Sequence, residues 1–436
     1  MSGSKPSRRA TEEFVIANAA SRSLDRRATA LEEQNFDTKT IPPIKVTTPK
    51  LNLTDGEVQS FKQLAQSIVS RTLAYECEYR QLGCPEPSSK EWKLLKKQAE
   101  LSVYKHRAPH SEQQSSKTYN VVCVGSLEGT IEDALYGTHS KNRDDMQATA
   151  AFLHRAHMEC AVLNVLESGS DEDPFRQVSL KWFISEMFGD ARLVNHRDWF
   201  NIESVGITTD EYGHRYGYFL AKFADHPGCP PMPEDSDVVR GMMNMCCIYR
   251  QEPGSRVVNV YAKGSIDLGG GLPAFITSCA SCAMMFNMAV SIESAEGKRL
   301  TKLALMHQDK RAKERLVGAE LGMERSHQDT TDSMVDLLAA SAISCSTASS
   351  CDSQTKETKV SREPCHICGR RPAMSKLVRS SHRKCGICKE RACGKCNVKR
   401  KLFSRSGPVN VMCCKVCIIE SKSITIDPRD PCPILK

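Results

Sequence analysis

Four Cys-x-x-Cys pairs near the end of the chain constrain its fold more than any other feature. They are Cys365/Cys368, Cys385/Cys388, Cys393/Cys396 and Cys414/Cys417. Eight thiolates are enough for two tetrahedral Zn²⁺ sites of the closed, structural kind. Only four residues separate Cys388 from Cys393, which is tight for two pairs on one ion. The spacing therefore predicts a cross-brace, in which pairs one and three hold one zinc ion and pairs two and four hold the other.

Disulfides are the alternative use of so many cysteines. Residues 1–30 are polar and basic and contain no apolar segment of the kind that a secretory signal needs. Paired cysteines in a reducing compartment favour metal, so we predict a cytoplasmic chain with two Zn²⁺ ions. Cys413 could replace its neighbour Cys414 in register, but the Cys-x-x-Cys spacing favours Cys414.

The order and spacing of the cysteines over roughly residues 361–420 resemble those of FYVE fingers, a family that binds phosphatidylinositol 3-phosphate on endosomes. The family's basic run before the third cysteine corresponds to His382, Arg383 and Lys384. The resemblance implies that these three residues bind phosphoinositide and that a preceding loop, with Met374, Leu377 and Val378, inserts into the bilayer. The second histidine of the run and the family's Trp-x-x-Asp are absent, and the loop residues could instead pack on the zinc core.

The positive charge of the chain is concentrated in the same region. Residues 356–405 contain 16 Lys and Arg against 3 Glu, whereas the whole chain has a net charge of +8. Cations near an anionic leaflet each contribute on the order of 1 kcal/mol to membrane binding. A solvated face or a nucleic-acid patch would show the same charge, but interleaved aromatic residues for base stacking are missing, which argues against nucleic acid.

The longer part of the chain before the finger predicts an α+β domain. Thr54 and Glu57 form a capping box for a helix that runs to about Arg80. Short extended segments follow, with a short helix over 131–136 and another over 142–157. A long amphipathic helix begins after Pro273 and becomes strongly charged through 310–315. A curved antiparallel sheet closed by such a helix is a helix-grip arrangement.

Several strings over roughly residues 52–315 resemble the START lipid-transfer family. They are Trp92-Lys93-Leu94, Val103-Tyr104-Lys105, Asn195 to Trp199, His226 to Pro231, and Asp267 to Pro273. The resemblance implies a cup that holds one lipid, with a mobile turn at 269–271. One cavity wall would be the helix stripe Phe275, Ile276, Cys279, Ala283 and Phe286. A filled core without a cavity would show the same apolar periodicity.

Other candidate sites carry weaker signals. Cys279 and Cys282 have Cys-x-x-Cys spacing but fall inside the long helix, so packing explains them better than metal or redox chemistry. His196 and Asp198 could form an acid–base pair, yet no nucleophile is placed beside them. We therefore predict that the chain is not an enzyme. Its runs of apolar residues also stay short of the roughly 18 needed for a transmembrane helix.

These patterns predict a non-enzymatic protein that binds, transfers or senses lipid. Its partners would be a lipid ligand and an anionic or phosphoinositide-containing membrane, with a peripheral location on endosomal or other membranes. The alternative is an adaptor whose finger binds a protein and whose START-like domain has a filled core. The predicted segments are a flexible leader (1–50), a START-like domain (51–317), a flexible Ser-rich linker (318–361), a FYVE-like finger (362–420) and a mostly unstructured tail (421–436).

Overall fold

The computed structural model describes residues 47–107, 119–154, 159–185, 195–320, 363–372 and 382–435. The chain divides into two units, Met1–Thr47 and Thr48–Lys436. Apart from Thr47, the first unit, and with it nearly all of the predicted leader, lies outside the described residues. The elements below all belong to the second unit.

Helix α1 (Asp55–Gln81) begins at the predicted capping box. The backbone N–H of Glu57 donates to Thr54 Oγ1 over 3.3 Å, and the backbone N–H of Thr54 donates to the Glu57 carboxylate over 2.8 Å. These two bonds satisfy donors that the first turn of a helix leaves unpaired. The helix packs on one face of the main sheet, called the outer face here, where Glu76 pairs with Arg250 over 3.1 Å.

Ten strands form the main sheet. In sheet order they are β1, β2, β3, β10, β9, β7, β6, β5 and β4, with β8 beside β6. Neighbours pair antiparallel except β8, which is parallel to β6. Their bounds are Trp92–Gln98, Leu101–His106, Tyr119–Glu128, Cys160–Glu167, Gln177–Ser185, His196–Thr209, Arg215–Phe223, Val238–Arg240, Met242–Gln251 and Val257–Asp267 for β1 to β10.

Helix α4 (Ala274–Glu320) has 47 residues, and its first half crosses the inner face of this sheet. The shorter helices α2 (Ile131–Tyr136) and α3 (Arg143–His154) lie beside it. Pro273 favours a helix start directly after it, because its fixed φ suits the first turn and its missing N–H would be unpaired there. The apolar core lies between α4 and the sheet. An antiparallel sheet that grips one long helix is the arrangement that the sequence predicts.

Among the described residues, one segment is long and apolar enough by composition to cross a membrane. It is Ala274–Leu316, which belongs to α4, and its most apolar window has a mean hydropathy of 1.6. Half of that window is buried inside the protein. Its inner face packs on the sheet, as the core helix of a helix-grip domain does, which accounts for much of its apolar composition.

The finger packs against the second half of α4. It consists of β11 (Arg383–Lys384), β12 (Arg391–Ala392), β13 (Asn397–Leu402), β14 (Val409–Cys414) and helix α5 (Lys415–Lys422). Leu300, Leu303 and Ala304 of α4 share one buried cluster with the finger's cysteines. The Phe403 ring stacks on Phe152 of α3 with centroids 4.2 Å apart.

The contact between the finger and α4 adds to the predicted order of domains, which named only a flexible linker between them. Helix α4 continues to Glu320, past the predicted boundary at residue 317. Residues 321–361, the rest of the predicted linker, lie outside the described residues. The finger is held because the second half of α4 presents apolar side chains to it, beside the charged positions that the sequence makes conspicuous.

The tail after α5 is also more ordered than predicted. Residues 423–435 contain no further helix, but they return from the finger across the helix-grip domain. The Cys432 N–H donates to the Asp145 carboxylate over 3.0 Å, and Lys302 pairs with Asp430 over 3.3 Å. Leu435 is buried, and its N–H donates to the Phe403 carbonyl over 3.0 Å. The tail therefore ties the finger to the helix-grip domain.

Candidate functional site

The eight predicted cysteines form two groups of four in the cross-brace order. One group is Cys365, Cys368, Cys393 and Cys396, and the other is Cys385, Cys388, Cys414 and Cys417, with the sulfurs of each group within 4.8 Å of one another. The Sγ atoms of Cys368 and Cys393 are 3.7 Å apart, and two pairs in the second group are 3.8 Å apart. A tetrahedron with metal–sulfur bonds of about 2.3 Å has edges of roughly 3.8 Å. Each group could therefore hold one metal ion.

Tight turns place these sulfurs. The first and second pairs each lie in a turn of the same kind. In the first turn the N–H of Gly369 donates to the Cys365 carbonyl over 2.8 Å, and in the second the N–H of Lys389 donates to the Cys385 carbonyl over 3.0 Å. Gly369 has φ of 67° and Lys389 of 69°, a left-handed conformation that glycine adopts without strain. In the last pair, Cys414 caps helix α5, so that its sulfur faces the first turn of the helix.

Within the second group, hydrogen bonds lower the pKa of Cys385 and raise the pKa of Cys388 and Cys417. The pKa of Cys385 is lowered because its sulfur accepts hydrogen bonds from Cys388 first, then from Cys414 and Cys417, and from the backbone of Cys414. The N–H of Cys414 lies 3.3 Å from that sulfur. By contrast, burial raises the pKa of Cys413 to about 12. Cys413 therefore stays a thiol outside both groups, and Cys414 is the member of the fourth pair.

The predicted phosphoinositide residues separate into one buried and two exposed side chains. His382 is buried, and its Nδ1 lies 3.1 Å from the backbone carbonyl oxygen of Glu363. It thus connects the first knuckle of the finger to β11. Arg383 and Lys384 are exposed on β11. The backbone holds these two cations in place, because the Asn397 side chain donates to the Arg383 carbonyl over 3.3 Å.

The predicted membrane loop, with Met374, Leu377 and Val378, lies outside the described residues. Two of the finger's other cations face the long helix. Arg400 pairs with Glu296 over 3.1 Å, and Lys401 pairs with Glu293 over 2.8 Å. The local charge of the finger therefore serves partly to dock it on α4.

The predicted cavity wall needs correction, because α4 is rotated relative to the expected stripe. Phe275, Cys279 and Ala283 are exposed, Ile276 is half-buried, and of the five only Phe286 is buried. The buried face carries Thr277, Ser281, Met284, Met285 and Met288. The hydroxyls mislead a periodicity analysis because they bond to the helix itself: Ser281 donates to the Thr277 carbonyl over 2.8 Å.

Methionine side chains fill the space where the cup was predicted. Met284, Met285 and Met288 of α4 pack in one core with Met245 and Trp199 of the sheet. Two pockets lined by described residues lie elsewhere. One, of about 410 Å³, lies between α1 and the outer face of the sheet, and the other, of about 450 Å³, lies near His139 and Arg429. The described residues at this end of the interior pack together as an apolar core.

A layer of buried polar side chains lies at the other end of the interior, and the sequence analysis missed it. Lys181 and Glu203 form an ion pair there. Asn201, the cross-strand partner of Lys181, is 3% exposed, and neither polar atom of its side chain has a protein partner. The buried Lys298 of α4 donates to the carbonyls of Tyr136 and His139 over 2.8 and 3.1 Å. A lysine inside the apolar run of β5, such as Lys181, was the available signal.

His196 and Asp198 are both buried, and Asp198 contributes to the structure of the outer face. Asp198 pairs with Arg240 over 2.8 Å and accepts a hydrogen bond from the Trp182 indole over 3.3 Å. Between them in sequence, Arg197 donates to the Leu268 carbonyl over 2.5 Å and so anchors the turn before α4. Cys279 is exposed and Cys282 buried, and among the described residues they belong to no potential metal group.

Of three comparisons with known proteins, only the one with solved structures finds similar chains. The sequence matches no protein-family model and no curated protein. Among solved structures, human StAR-related lipid transfer protein 5 aligns at 18% identity over 54% of this chain and 97% of that one, with a TM-score of 0.36. Human STARD10 aligns at 12% identity over 57% of this chain and 84% of that one, with a TM-score of 0.33. A STAR-related lipid transfer protein from Xanthomonas axonopodis aligns at 14% identity over 46% of this chain and 96% of that one, with a TM-score of 0.31.

Proposed function

We propose that this chain is a non-enzymatic lipid-binding protein of the START type, whose zinc finger helps it to bind membranes. The observation that carries the proposal is the grip of a ten-stranded antiparallel sheet on one 47-residue helix, with an interior that is apolar at one end and polar at the other. A lipid has the same division into an apolar chain and a polar head. The START-like sequence strings lie in this domain and support the same interpretation.

Lipid binding in such an interior has a clear physical basis. Exposing a lipid chain to water costs about 0.8 kcal/mol per CH₂, or on the order of 10 kcal/mol for a chain of ~16 carbons. An apolar interior that receives the chain directly from a bilayer avoids this cost. The methionines that now fill the core are flexible and unbranched, so they can change rotamers to admit a chain. The unpartnered amide of Asn201 and the Lys181–Glu203 pair offer hydrogen bonds to a polar head.

The finger would hold two Zn²⁺ ions, one in each group of four cysteines. An all-sulfur set with edges near 3.8 Å suits a tetrahedral structural site. In this role the metal supplies folding free energy, and the protein residues around it donate N–H groups to the thiolates. Metal analysis of the full chain tests the assignment, and we expect two zinc ions per molecule.

The exposed pair Arg383 and Lys384 would contact anionic head groups, phosphoinositide included. The finger would then be a weak and salt-sensitive membrane contact, and we propose a cytoplasmic, peripheral location on endosomal or other membranes. Sedimentation with phosphoinositide vesicles tests it with the double variant Arg383→Gln, Lys384→Gln. The buried His382 should remain unsubstituted, because its loss would disturb the first knuckle.

The experiment for the lipid-binding function itself is transfer of a fluorescent phospholipid between donor and acceptor vesicles. The protein should accelerate transfer in proportion to its concentration. A bulky substitution in the core, Met288→Trp, should abolish the acceleration in protein that still unfolds cooperatively, and the exposed Met306→Leu serves as the matched control. The second candidate, a protein-interaction adaptor, is favoured by the filled methionine core and predicts no transfer by the wild-type chain.

A further inference from the structure

The turn before α4 and the first residues of α4 form one long uncharged segment. The 25 residues from Leu268 to Ile292 include no Asp, Glu, Lys, Arg or His. Helices at a protein surface normally carry charged residues on their outer side. Here Phe275, Cys279, Ala283 and Asn287 are all exposed, and their spacing of four places them on one face. We call these four residues the outer stripe. Phe275 is 60% exposed, so a large apolar side chain faces outward at the end of the helix.

The sheet edge beside this stripe is basic. Residues 90–107, which contain β1 and β2, carry six Lys and Arg against two Glu. Strand β1 packs against α4, and its Leu95 contacts the core. Lys93 lies on the same side because it is the direct cross-strand partner of Lys105, which is two residues from the core residue Val103 on β2. A bulge between Leu94 and Lys96 interrupts the alternation of β1. Lys96 and Lys105 share it too, since Lys96 pairs with Val103 of the core and Lys105 follows two residues later.

These lysines lie close to one another and to the helix. Lys93 and Lys105 are direct cross-strand partners, and like charges in that position repel. Burial lowers the pKa of Lys105, and Lys93 lowers it further. Burial raises the pKa of Cys282 on α4 to about 11, and Lys96 opposes that rise.

We propose that the outer stripe and the lysines Lys93, Lys96 and Lys105 together form a contact surface for an anionic phospholipid bilayer. The uncharged stripe lies against the acyl boundary, with Phe275 inserted, and the lysines contact head groups beside it. A second copy of the chain fits this surface less well, because a symmetric dimer would bring the same lysines together. The inference rests on the proposed function for its purpose, since it places the bilayer against the helix that covers the lipid-binding interior.

The test is sedimentation of the zinc-loaded full chain with vesicles of phosphatidylcholine and phosphatidylserine that contain no phosphoinositide. Phe275→Asp should weaken binding about tenfold or more, because it replaces a buried aromatic contact with a charge. Lys93→Gln with Lys96→Gln should weaken it about 25-fold on these vesicles, at roughly fivefold per lysine, and should have little effect on neutral vesicles. The matched control is Tyr212→Asp, which changes an aromatic residue that is 64% exposed on another surface and should leave binding unchanged.

The two membrane contacts fail independently. If Arg383→Gln, Lys384→Gln abolishes phosphoinositide binding while the stripe and lysine variants bind phosphatidylserine vesicles like the wild type, the finger proposal stands and this one is wrong. If only the stripe and lysine variants lose binding, the outer stripe and its lysines form the membrane contact and the finger proposal is wrong. If wild-type protein forms a dimer that Phe275→Asp converts to a folded monomer with unchanged vesicle binding, the surface is a self-association interface and the bilayer assignment is overturned.

Discussion

At the residue scale, the structure depends on polar groups placed where water cannot reach them. Lys298, Lys181 and His139 lie close together between the sheet and the helices. The carbonyls of Tyr136 and His139 receive the Lys298 ammonium group, and Glu203 pairs with Lys181. A buried cation is stable only when such partners are present, since burial without them costs several kcal/mol. These residues therefore fix how α4 sits against α2 and the sheet.

His139 makes the stability of the fold depend on pH. Burial lowers the pKa of His139 to about 3, with further lowering by Lys181, Lys298 and Lys141, and Asp427 opposes the shift. The unfolded chain takes up a proton near pH 6.5, whereas the folded protein stays neutral to much lower pH. Stability is therefore lost as the pH falls below about 6.5, with a slope of up to about 1.4 kcal/mol per pH unit from this residue.

The variant His139→Asn should flatten this dependence between about pH 6.5 and pH 4.5, before the carboxylates titrate. Urea unfolding at a series of pH values measures it, and His214→Asn, at an exposed histidine, is the matched control. Equal slopes for the wild type and both variants would show that His139 is protonated in the folded protein.

The local elements are the part of the fold that the sequence predicts well. The capping box at Thr54, the extended segments and the start of the long helix after Pro273 are each encoded by neighbouring residues, and each is present as expected. The segment from Trp92 forms a hairpin of two strands, β1 and β2. The cysteine groups were equally predictable, because short spacings restrict which sulfurs can meet.

The orientation of α4 could not be predicted in the same way. Its first half is uncharged on every side, so the apolar period does not distinguish the inner face from the outer one. Ser281 and Thr277 face inward and Phe275 outward, opposite to their usual preference. Neither could the sequence reveal that Leu300 and Leu303 bind the finger, because that contact joins residues about a hundred positions apart.

Metal removal should loosen one half of α4 and spare the other. The finger's core is shared with Leu300, Leu303 and Ala304, and the Phe403 N–H donates to Thr301 over 2.9 Å. Without metal the cysteine groups lose the bonds that fold them, so this packing is lost. Hydrogen exchange after chelation should rise over residues 296–311 and remain slow over 280–290. Uniform protection along the whole helix would contradict the coupling.

At the scale of the whole molecule, the finger, the long helix and the tail stabilise one another. The Phe152–Phe403 stack, the Glu296–Arg400 pair and the returning tail all cross between the finger and the helix-grip domain. Membrane contacts made by the finger and by the surface on α4 would then be held at a fixed separation. That arrangement gives two weak contacts a high effective concentration for each other.

Separating the finger from the helix should divide one unfolding transition into two. Phe403→Ala removes a fully buried aromatic side chain, which costs about 3–5 kcal/mol. Calorimetry of the zinc-loaded wild type should show a single transition, and that of the variant a lower transition for the finger before the main one. The exposed Tyr212→Ala is the control and should keep a single transition. Two transitions already in the wild type would indicate independent domains.

The central claim is that the interior between α4 and the sheet holds a lipid. Native mass spectrometry of the intact protein, purified without detergent from cells, tests this most directly. We predict a zinc-loaded chain that carries one additional lipid mass, released on denaturation and reduced in Met288→Trp. A population with two zinc ions and no lipid, even after incubation with vesicles, would contradict the account and leave the filled methionine core as the functional state.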